Sequence, residues 1–469
     1  MTEWESIAAL AEKVRSGELK AVDLVERSLQ AIEAAEEYKA IIAVTADRAR
    51  ERAQAIDADP KGRLAGVPFI AKDNFLVFGA ETTAASNILK GFEAPYQSTA
   101  IEKLEAEGAI CVAKANLDAF AHGSSTENSD FFTTKNPVDP TRVPGGSSGG
   151  SAAAAALGLA PFALGTDTGG SIRLPASFTG TVGYKPTYGL VSRSGVVAMA
   201  SSLDVIGPLT RTVADAALVL DVMAGKDELD STTIDRAEQG YLVEAADLRG
   251  KKIGIIKEYM GEGLQPGVKA QIEQAAQKMQ QAGAELVEIS LPSLPLALAV
   301  YYIICPAEVS SNLSRYDGQR YGYSFPDAHN LDESYMASRE HGFGKEAKRR
   351  IMTGTYVLSS GYYDAYYKKA QTVRTKLINE FSEAFGNVDF LLGPTAPEVA
   401  FKIGENAADP LKMYLTDIMT VAVNLAGVPA ISIPCGTSEN LPVGLQLIAP
   451  QRADRDLLAA AAAAEEVLA

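Results

Sequence analysis

The sequence predicts one large α/β domain, built on a mixed, twisted β-sheet with helices packed on both of its faces. Short apolar runs alternate with segments of helical periodicity through most of the chain, which is the pattern of helices layered on a sheet. A length of 469 residues would allow two or three domains. However, we find no repeat, no low-complexity tail and no long linker that would divide the chain. A single domain is therefore the simpler interpretation.

Residues 1–60 are predicted to form a helical layer packed on the core of the domain, which comprises residues 61–469. Apolar and charged residues alternate there at helical spacing, and Ser16-Gly17 separates the first predicted helix from the second. The apolar positions are Ile7, Leu10, Ala11, Val14, Val22, Val25, Leu29 and Ile32. Each of the two predicted helices would place one apolar stripe against the core.

The core begins with a strand–helix–strand pattern. The apolar run 67–71 predicts a strand, and 110–113 predicts another. Between them, 99–107 predicts a helix that Gly108 ends. Alanine has the best helix propensity, so the run 152–156 should start a buried helix.

The second half of the chain contains a predicted β-α-β unit followed by helices. Strands at 252–257 and 286–289 flank a helix whose apolar face runs over 268–282. Residues 296–385 are predicted to be helical and are unusually rich in tyrosine. The remaining predicted elements are strands at 388–392, 430–434 and 443–447, and a helix from about residue 455.

The charge and the metal-ligating residues exclude several classes of function. A net charge of −16 repels phosphate backbones, so the chain should not bind nucleic acid broadly by itself. The cysteines stand in apolar contexts without paired spacing, which indicates buried, reduced thiols. The histidines form no cluster, so we expect no metal site. These residues are Cys111, Cys305 and Cys435, and His122, His329 and His341.

Two uncharged stretches, 144–166 and 291–307, imitate membrane spans. Prolines interrupt both, and neither supplies the roughly 20 apolar residues that a span needs. Both are interpreted as buried core. The N-terminal residues are polar and acidic, unlike a signal peptide, so we expect a cytoplasmic protein.

Two turns rich in glycine and serine, 145–151 and 165–173, carry the strongest functional signal. Ser171 directly follows Gly169-Gly170, and glycine lets a backbone approach a ligand closely. The Ser171 hydroxyl would therefore lie beside free N–H groups, which suits a nucleophile next to an oxyanion hole. Lys72 lies upstream, in an apolar setting at the end of a predicted strand.

Together these residues closely resemble the amidase signature family, whose members use a Ser–cis-Ser–Lys triad. The resemblance runs from about residue 64 to the C-terminus, and both spacings within the triad match. It implies that Ser171 is the nucleophile, Ser147 the bridging serine and Lys72 the base. A basic Lys72 must be neutral part of the time, and burial lowers a lysine pKa.

The resemblance also implies an oxyanion hole made of the backbone N–H groups of Thr168, Gly169 and Gly170. Asp167 and Arg173 flank the nucleophile, and we expect them to form an ion pair that shapes the loop.

Three other interpretations compete for the same glycines. Residues 145–149 also satisfy the G-x-S-x-G elbow of α/β-hydrolases, with Ser147 as nucleophile and His329 or His341 as base. Three prolines in 136–144 argue against the strand that this elbow needs. A phosphate-binding loop would require a lysine after the glycines, and none is present. A flexible linker is disfavoured by the apolar run 152–156 that follows.

Within the family, further stretches resemble the A subunits of glutamyl-tRNA(Gln)/aspartyl-tRNA(Asn) amidotransferases. The similarity is carried by residues 117–128, 307–318, 348–352 and 424–429. It implies a glutaminase that passes ammonia to a B subunit, with a C subunit completing a heterotrimer. The B subunit would use ATP and Mg and make most of the tRNA contacts. This chain itself would bind no cofactor and no metal.

Glutamine is a zwitterion, so its recognition needs one fixed cation and one fixed anion. The resemblance implies that Arg350 and Asp417 fill these roles. Ser125 and Tyr301 are further candidates for substrate binding.

Two positions depart from the pattern of these A subunits. His122 stands where methionine is usual, and Leu174 stands where glutamine is usual. Two alternatives stay open at this stage: a free-standing hydrolase of small amides, and a catalytically inactive binding relative. The sequence also leaves open whether such a complex serves Gln-tRNA, Asn-tRNA or both.

Overall fold

Eleven strands of the described residues form one mixed sheet that runs through the molecule. The computed structural model describes residues 3–469. Within them the strands are β1 Ile41–Val44, β2 Pro68–Lys72, β3 Ile110–Ala115, β4 Phe162–Asp167, β5 Val182–Lys185, β6 Val205–Thr210, β7 Lys252–Ile256, β8 Glu285–Ile289, β9 Phe390–Pro394, β10 Ala430–Ser438 and β11 Leu441–Ile448. Their order in the sheet is β1-β3-β2-β4-β6-β5-β10-β11-β9-β7-β8.

The pairing is parallel at two places and antiparallel elsewhere, so the predicted mixed sheet is confirmed. Strand β2 runs parallel to β3 and β4, and β7 runs parallel to β8 and β9. Parallel neighbours end at the same edge of a sheet. The last residues of β2 and β4, Lys72 and Asp167, are therefore brought to one edge, where open α/β sheets commonly carry their sites.

Fifteen α-helices of the described residues pack on this sheet and on one another. They are α1 Ile7–Arg15, α2 Ala21–Ala34, α3 Ala46–Ala58, α4 Thr99–Ala106, α5 Gly149–Leu157, α6 Arg173–Thr179, α7 Val213–Met223, α8 Pro266–Gln281, α9 Leu294–Asn312, α10 Leu331–Gly342, α11 Lys345–Leu358, α12 Lys369–Phe385, α13 Pro410–Leu415, α14 Val421–Ala426 and α15 Asp454–Leu468. The predicted helices at 99–107 and 268–282 and the helical segment 296–385 are confirmed.

Helix α8 illustrates how the spacing of apolar residues predicts a helix and its buried face. Pro266 occupies its first turn, where a proline loses no intrahelical hydrogen bond. Its buried face is Val268, Ile272, Ala275, Ala276 and Met279, as the spacing predicts. Gly283 follows the helix with φ +106, a conformation that other residues rarely adopt.

The N-terminal layer is not wholly helical, so this part of the prediction is wrong. Residues Ile41–Val44 form β1, which pairs antiparallel with β3 at the edge of the sheet. The run Ile-Ile-Ala-Val contains three β-branched residues, which favour strands. The layer therefore contributes a strand to the sheet in addition to packing on it.

Helix α9 lies in the longest apolar stretch of the second half. Residues 294–315 are long and apolar enough to cross a membrane by length and composition, and half of their most apolar window is buried inside the protein. The helix packs against α11, α12 and α14. These contacts account for its apolar composition.

Candidate active site

Lys72 is the last residue of β2, and its side chain is fully buried. Its Nζ donates to three hydroxyl oxygens: Ser147 Oγ at 2.8 Å, Ser148 Oγ at 2.9 Å and Thr166 Oγ1 at 2.8 Å. No carboxylate among the described residues lies within salt-bridge distance of it. The amine is thus surrounded by neutral partners.

This environment changes the protonation of Lys72. Burial lowers its pKa from 10.5 to about 7, although the carboxylates of Asp118, Asp167 and Asp204 act in the opposite direction. An amine with this pKa is neutral in a large fraction of molecules near neutral pH. Lys72 can therefore accept a proton, which an ordinary surface lysine cannot do.

Ser147 lies in a turn that requires glycine before it. The Gly146–Ser147 peptide bond is cis. A Cβ on Gly146 would lie 2.2 Å from Asp118 Oδ2 and 2.6 Å from the backbone N of Ser125, so any side chain there would clash. On the other side of this contact, the Asp118 carboxylate accepts the N–H group of Thr126 at 2.9 Å. The turn and the 118–126 segment therefore fix each other.

Ser171 lies on the second turn, immediately after β4. Its carbonyl accepts the N–H group of Ser148 at 3.1 Å, which joins the two turns. Ser171 retains 8% exposure, whereas Lys72 and Ser147 retain none. The Ser147 and Ser171 hydroxyls, both within the described residues, are not hydrogen-bonded to each other. The structure brings the three residues into one site with the Lys72–Ser147 contact already made.

The N–H groups near Ser171 differ in their availability. Gly170 donates to Asp167 Oδ1 at 2.9 Å, so this amide is not free for a ligand and the expectation for Gly170 is not met. The amides of Thr168 and Gly169 donate to no acceptor among the described residues. A Cβ on Gly169 would lie 2.7 Å from the ring of Tyr301, so this close approach requires glycine. Thr168 and Gly169 remain the candidates for an oxyanion hole.

The predicted ion pair of Asp167 and Arg173 is confirmed. Arg173 Nη2 lies 2.9 Å from Asp167 Oδ1, and both side chains are fully buried. Burial alone would raise the pKa of Asp167, but Arg173 and further partners lower it to about 2. Arg173 also donates to Gln446 at 2.6 Å and to Asn424 at 2.6 Å. These bonds tie the Ser171 turn to β11 and α14 and support an architectural role.

The two residues predicted to recognise a zwitterion lie close together but do not pair with each other. Arg350, on α11, is buried, and its Nε donates to Glu346 at 2.9 Å. Its Nη1 reaches only the Cys305 sulfur, at 3.8 Å, and no oxygen of the described residues accepts from Nη1 or Nη2. Asp417 accepts from Ser124 Oγ at 2.8 Å, and burial raises its pKa to about 7. No salt bridge joins Arg350 to Asp417 within the described residues.

Tyrosines of α9 connect the two charges and the nucleophile turn. The guanidinium of Arg350 lies 5.3 Å from the centre of the Tyr302 ring. The Tyr302 hydroxyl donates to Asp417 Oδ2 at 3.2 Å. The neighbouring Tyr301 packs its ring edge-on against Tyr302, at 5.0 Å, and contacts the Gly169 turn. One helix therefore contacts the reacting turn and both charged residues.

Ser125 is not brought to this cluster by its side chain. Its hydroxyl is fully buried and accepts the N–H group of Glu127 at 3.4 Å, beside the Gly146 turn. The adjacent Ser124 contacts Asp417 instead, and no sequence pattern singled it out. Both serines belong to the same short motif, so the residue type gave no means of choosing between them.

Comparison with known proteins identifies the family. The family model described as Amidase matches residues 23–458. The chain belongs to the amidase family. The A subunit of the glutamyl-tRNA(Gln) amidotransferase of Thermoanaerobacter pseudethanolicus is 54% identical to this amidase over 451 residues, which is 94% of this chain and 92% of the relative.

Solved structures agree with this assignment. The A subunit of the glutamyl-tRNA(Gln) amidotransferase of Thermotoga maritima has a TM-score of 0.80 at 43% identity, covering 95% of this amidase and 91% of that chain. The peptide amidase of Stenotrophomonas maltophilia has a TM-score of 0.81 at 30% identity, covering 99% of this amidase and 96% of that chain. By sequence identity, this amidase is more similar to the two amidotransferase A subunits, at 54% and 43%, than to the peptide amidase, at 30%.

His122 lies in the interior of this amidase, close to the charged cluster. Its ring centre is 6.2 Å from that of Phe120, and burial lowers its pKa well below 6.5, with the positive charge of Arg350 acting in the same direction. Both ring nitrogens are buried and have no hydrogen-bond partner within the described residues. The imidazole is therefore neutral, and its polar atoms are unsatisfied.

Replacing His122 with methionine is expected to stabilise the fold. Methionine fills a similar volume, and the change removes a buried imidazole whose two ring nitrogens have no partner within the described residues; leaving such a buried polar group unpaired costs about 1–3 kcal/mol. We expect an increase of about 1–3 kcal/mol in the free energy of unfolding. Chemical denaturation of both proteins measures it. A lower stability of His122→Met would mean that the ring nitrogens have partners in solution.

Proposed function

We propose that this amidase is the glutaminase component of a tRNA-dependent amidotransferase. It would hydrolyse glutamine to glutamate and ammonia. One observation carries the proposal: a buried cation, Arg350, and a buried anion, Asp417, both contact Tyr302 beside the Ser171 turn. Within the described residues they form no salt bridge with each other. A zwitterionic amide such as glutamine would supply an acceptor for the Nη atoms of Arg350, whose Nε is already paired with Glu346, and a cation for Asp417.

In the proposed reaction, Lys72 takes a proton from Ser147, which takes one from Ser171. The Ser171 oxygen then attacks the side-chain amide carbon of glutamine, and the amides of Thr168 and Gly169 stabilise the negative oxygen. The C–N bond breaks, the relay returns a proton, and ammonia leaves. Water hydrolyses the resulting ester to glutamate. Because the two serine hydroxyls are not yet hydrogen-bonded, the Ser171 side chain has to turn toward Ser147 when substrate binds.

The charged groups would hold the other end of glutamine. The unused Nη atoms of Arg350 would donate to the α-carboxylate, and Asp417 would accept from the α-ammonium. The bound ammonium favours the ionised form of Asp417, whose pKa of about 7 otherwise leaves it partly protonated at neutral pH.

The ammonia requires an acceptor, and the names of the relatives suggest that it is a glutamyl-tRNA(Gln). We infer that B and C subunits complete a cytoplasmic heterotrimer, in which the B subunit uses ATP and Mg to activate the misacylated tRNA. The net charge of −16 supports tRNA contact mainly through that partner. A free-standing hydrolase of small amides is the second candidate, favoured by the 30% identity to a peptide amidase of the same fold.

Replacing Arg350 with alanine tests the proposal. The change should lower kcat/KM for glutamine by well over tenfold, because leaving a charged partner unpaired in a closed site costs roughly 2–5 kcal/mol and about 1.4 kcal/mol is a factor of ten. Hydrolysis of butyramide, which has no charged end, should be nearly unchanged. Steady-state kinetics on both amides measure the difference.

Lys348→Ala serves as the matched control, since Lys348 lies on the same helix but outside the cluster. It should leave both substrates unaffected. Equal losses on glutamine and butyramide in Arg350→Ala would contradict the proposed role and favour the free-standing hydrolase.

A further inference from the structure

A small cavity adjoins the proposed glutamine site. Its volume is about 170 Å³, and its walls come from three segments: 123–128, the start of α11, and 406–414. Arg350 lines it, and so does Ser124, whose hydroxyl contacts Asp417. The cavity is therefore continuous with the residues proposed to hold the amino acid end of the substrate.

Two side chains of this cavity have polar atoms without partners. Asn406 is only 1% exposed, and neither its Nδ2 nor its Oδ1 makes a hydrogen bond within the described residues. Glu127 Oε2 is likewise buried and unpartnered. Buried polar atoms are almost always paired, because leaving one unpaired is unfavourable. Three such atoms at one cavity indicate a polar ligand.

The backbone contacts explain how Asn406 reaches this position. It lies between β9 and α13, on a segment where the Gly404 N–H group donates to Glu127 Oε1 at 2.7 Å. Its carbonyl accepts the N–H group of Asp409, which caps α13, at 3.1 Å. Both bonds hold the main chain of this segment at the wall of the cavity, so the backbone places Asn406 there before any ligand binds.

The chemistry of the unpartnered atoms specifies the ligand. Asn406 Nδ2 needs an acceptor, whereas Asn406 Oδ1 and Glu127 Oε2 need donors. The α-carboxylate and α-ammonium of an amino acid supply two acceptor oxygens and three N–H donors side by side. We infer that Asn406 is a specificity-determining residue that binds the α-amino acid end of glutamine, with Glu127 as a second acceptor for its ammonium. This inference rests on the proposed glutaminase activity.

The test compares Asn406→Leu and Asn406→Asp with the wild type. Leucine approximates the shape of asparagine without its polar atoms, and aspartate adds a charge that repels the α-carboxylate. In the full-length chain with its partner subunits, Asn406→Leu should raise KM for glutamine about tenfold or more and change kcat little. Asn406→Asp should raise it further. Butyramide hydrolysis should be unchanged in both.

Two controls make the result specific. Asn387→Leu, the same substitution at an exposed position, should leave all values unchanged. Calorimetric titration of glutamine into variants that also carry Ser171→Ala reports binding without turnover and should show the same loss of affinity. It also keeps the inference testable if kcat falls for other reasons.

The contrary outcomes are distinct. Unchanged KM and affinity for glutamine in Asn406→Leu would overturn the inference, as would equal losses on glutamine and butyramide. If the wild type hydrolyses butyramide but neither binds nor hydrolyses glutamine, then the proposed function fails and the inference fails with it.

Discussion

Replacing Lys72 with methionine is expected to lower kcat/KM for glutamine by at least about 10³-fold, within the range that general acid–base catalysis contributes. Methionine keeps an unbranched stem but cannot accept a proton, so Ser147 loses the base that it contacts at 2.8 Å. Members of a proton relay act as a unit, so adding Ser147→Ala should lower the rate little further. Steady-state kinetics of the single and double variants check this expectation. Near-normal turnover in Lys72→Met would contradict the relay.

The protonation of Lys72 also gives the wild type a defined dependence on pH. Protonated Lys72 cannot serve as a base, and its pKa is about 7, so kcat/KM should rise as pH increases from 6 to 8 and then level off. Asp417, whose pKa is also about 7, ionises over the same range and acts in the same direction for glutamine. The profile should therefore be steeper for glutamine than for butyramide, which does not need Asp417. A flat profile for both amides would contradict a lysine base.

Replacing Ser171 with alanine is expected to abolish glutamine hydrolysis, with a loss of at least about 10⁴-fold, because the change removes the attacking oxygen. In the complete complex, the same variant should still amidate tRNA when free ammonium is supplied. Activation and transfer belong to the B subunit in the proposed function, so only the source of nitrogen is lost. Measuring transamidation with each nitrogen source separates the two steps.

Ser151→Ala is the matched control for this experiment. Ser151 lies on α5, beside the first serine turn, and its hydroxyl donates to the Leu164 carbonyl at 2.8 Å, outside the relay. It should retain activity with both nitrogen sources. If Ser171→Ala also loses activity with ammonium, then this chain contributes more to the transfer than ammonia.

The sequence predicted those parts of the fold whose signal is local. The strand ending at Lys72 and helix α8 follow from runs and spacings that are visible in a short window. Strand β1 was missed because its β-branched run is only four residues long and stands between two helical segments, and its pairing with β3 is not visible in a short window. Pairing partners lie far apart in sequence, and no periodicity records them.

The candidate site divides in the same way. Lys72, Ser147 and Ser171 were found because they belong to a long motif. The engagement of the Gly170 amide with Asp167, the contact of Ser124 with Asp417 and the position of Asn406 depend on how distant segments meet. A motif identifies which residues are present, but it does not show which backbone N–H group already donates to another residue of the protein.

The position of the site along the chain has a consequence for how such an enzyme can change. The proposed bond-breaking residues lie at the end of β2, in the turn before α5 and in the turn after β4, all before residue 185, whereas Tyr301, Arg350 and Asp417 all come after residue 290. Apart from segment 123–128, which supplies Ser124 and Glu127 to the binding end, the residues proposed for catalysis and those proposed for substrate binding thus lie in separate stretches of the chain. A mutation after residue 290 can alter which substrate is bound, while the catalytic residues before residue 185 continue to hydrolyse its amide bond. One ancestral scaffold can in this way give rise to hydrolases with different substrates.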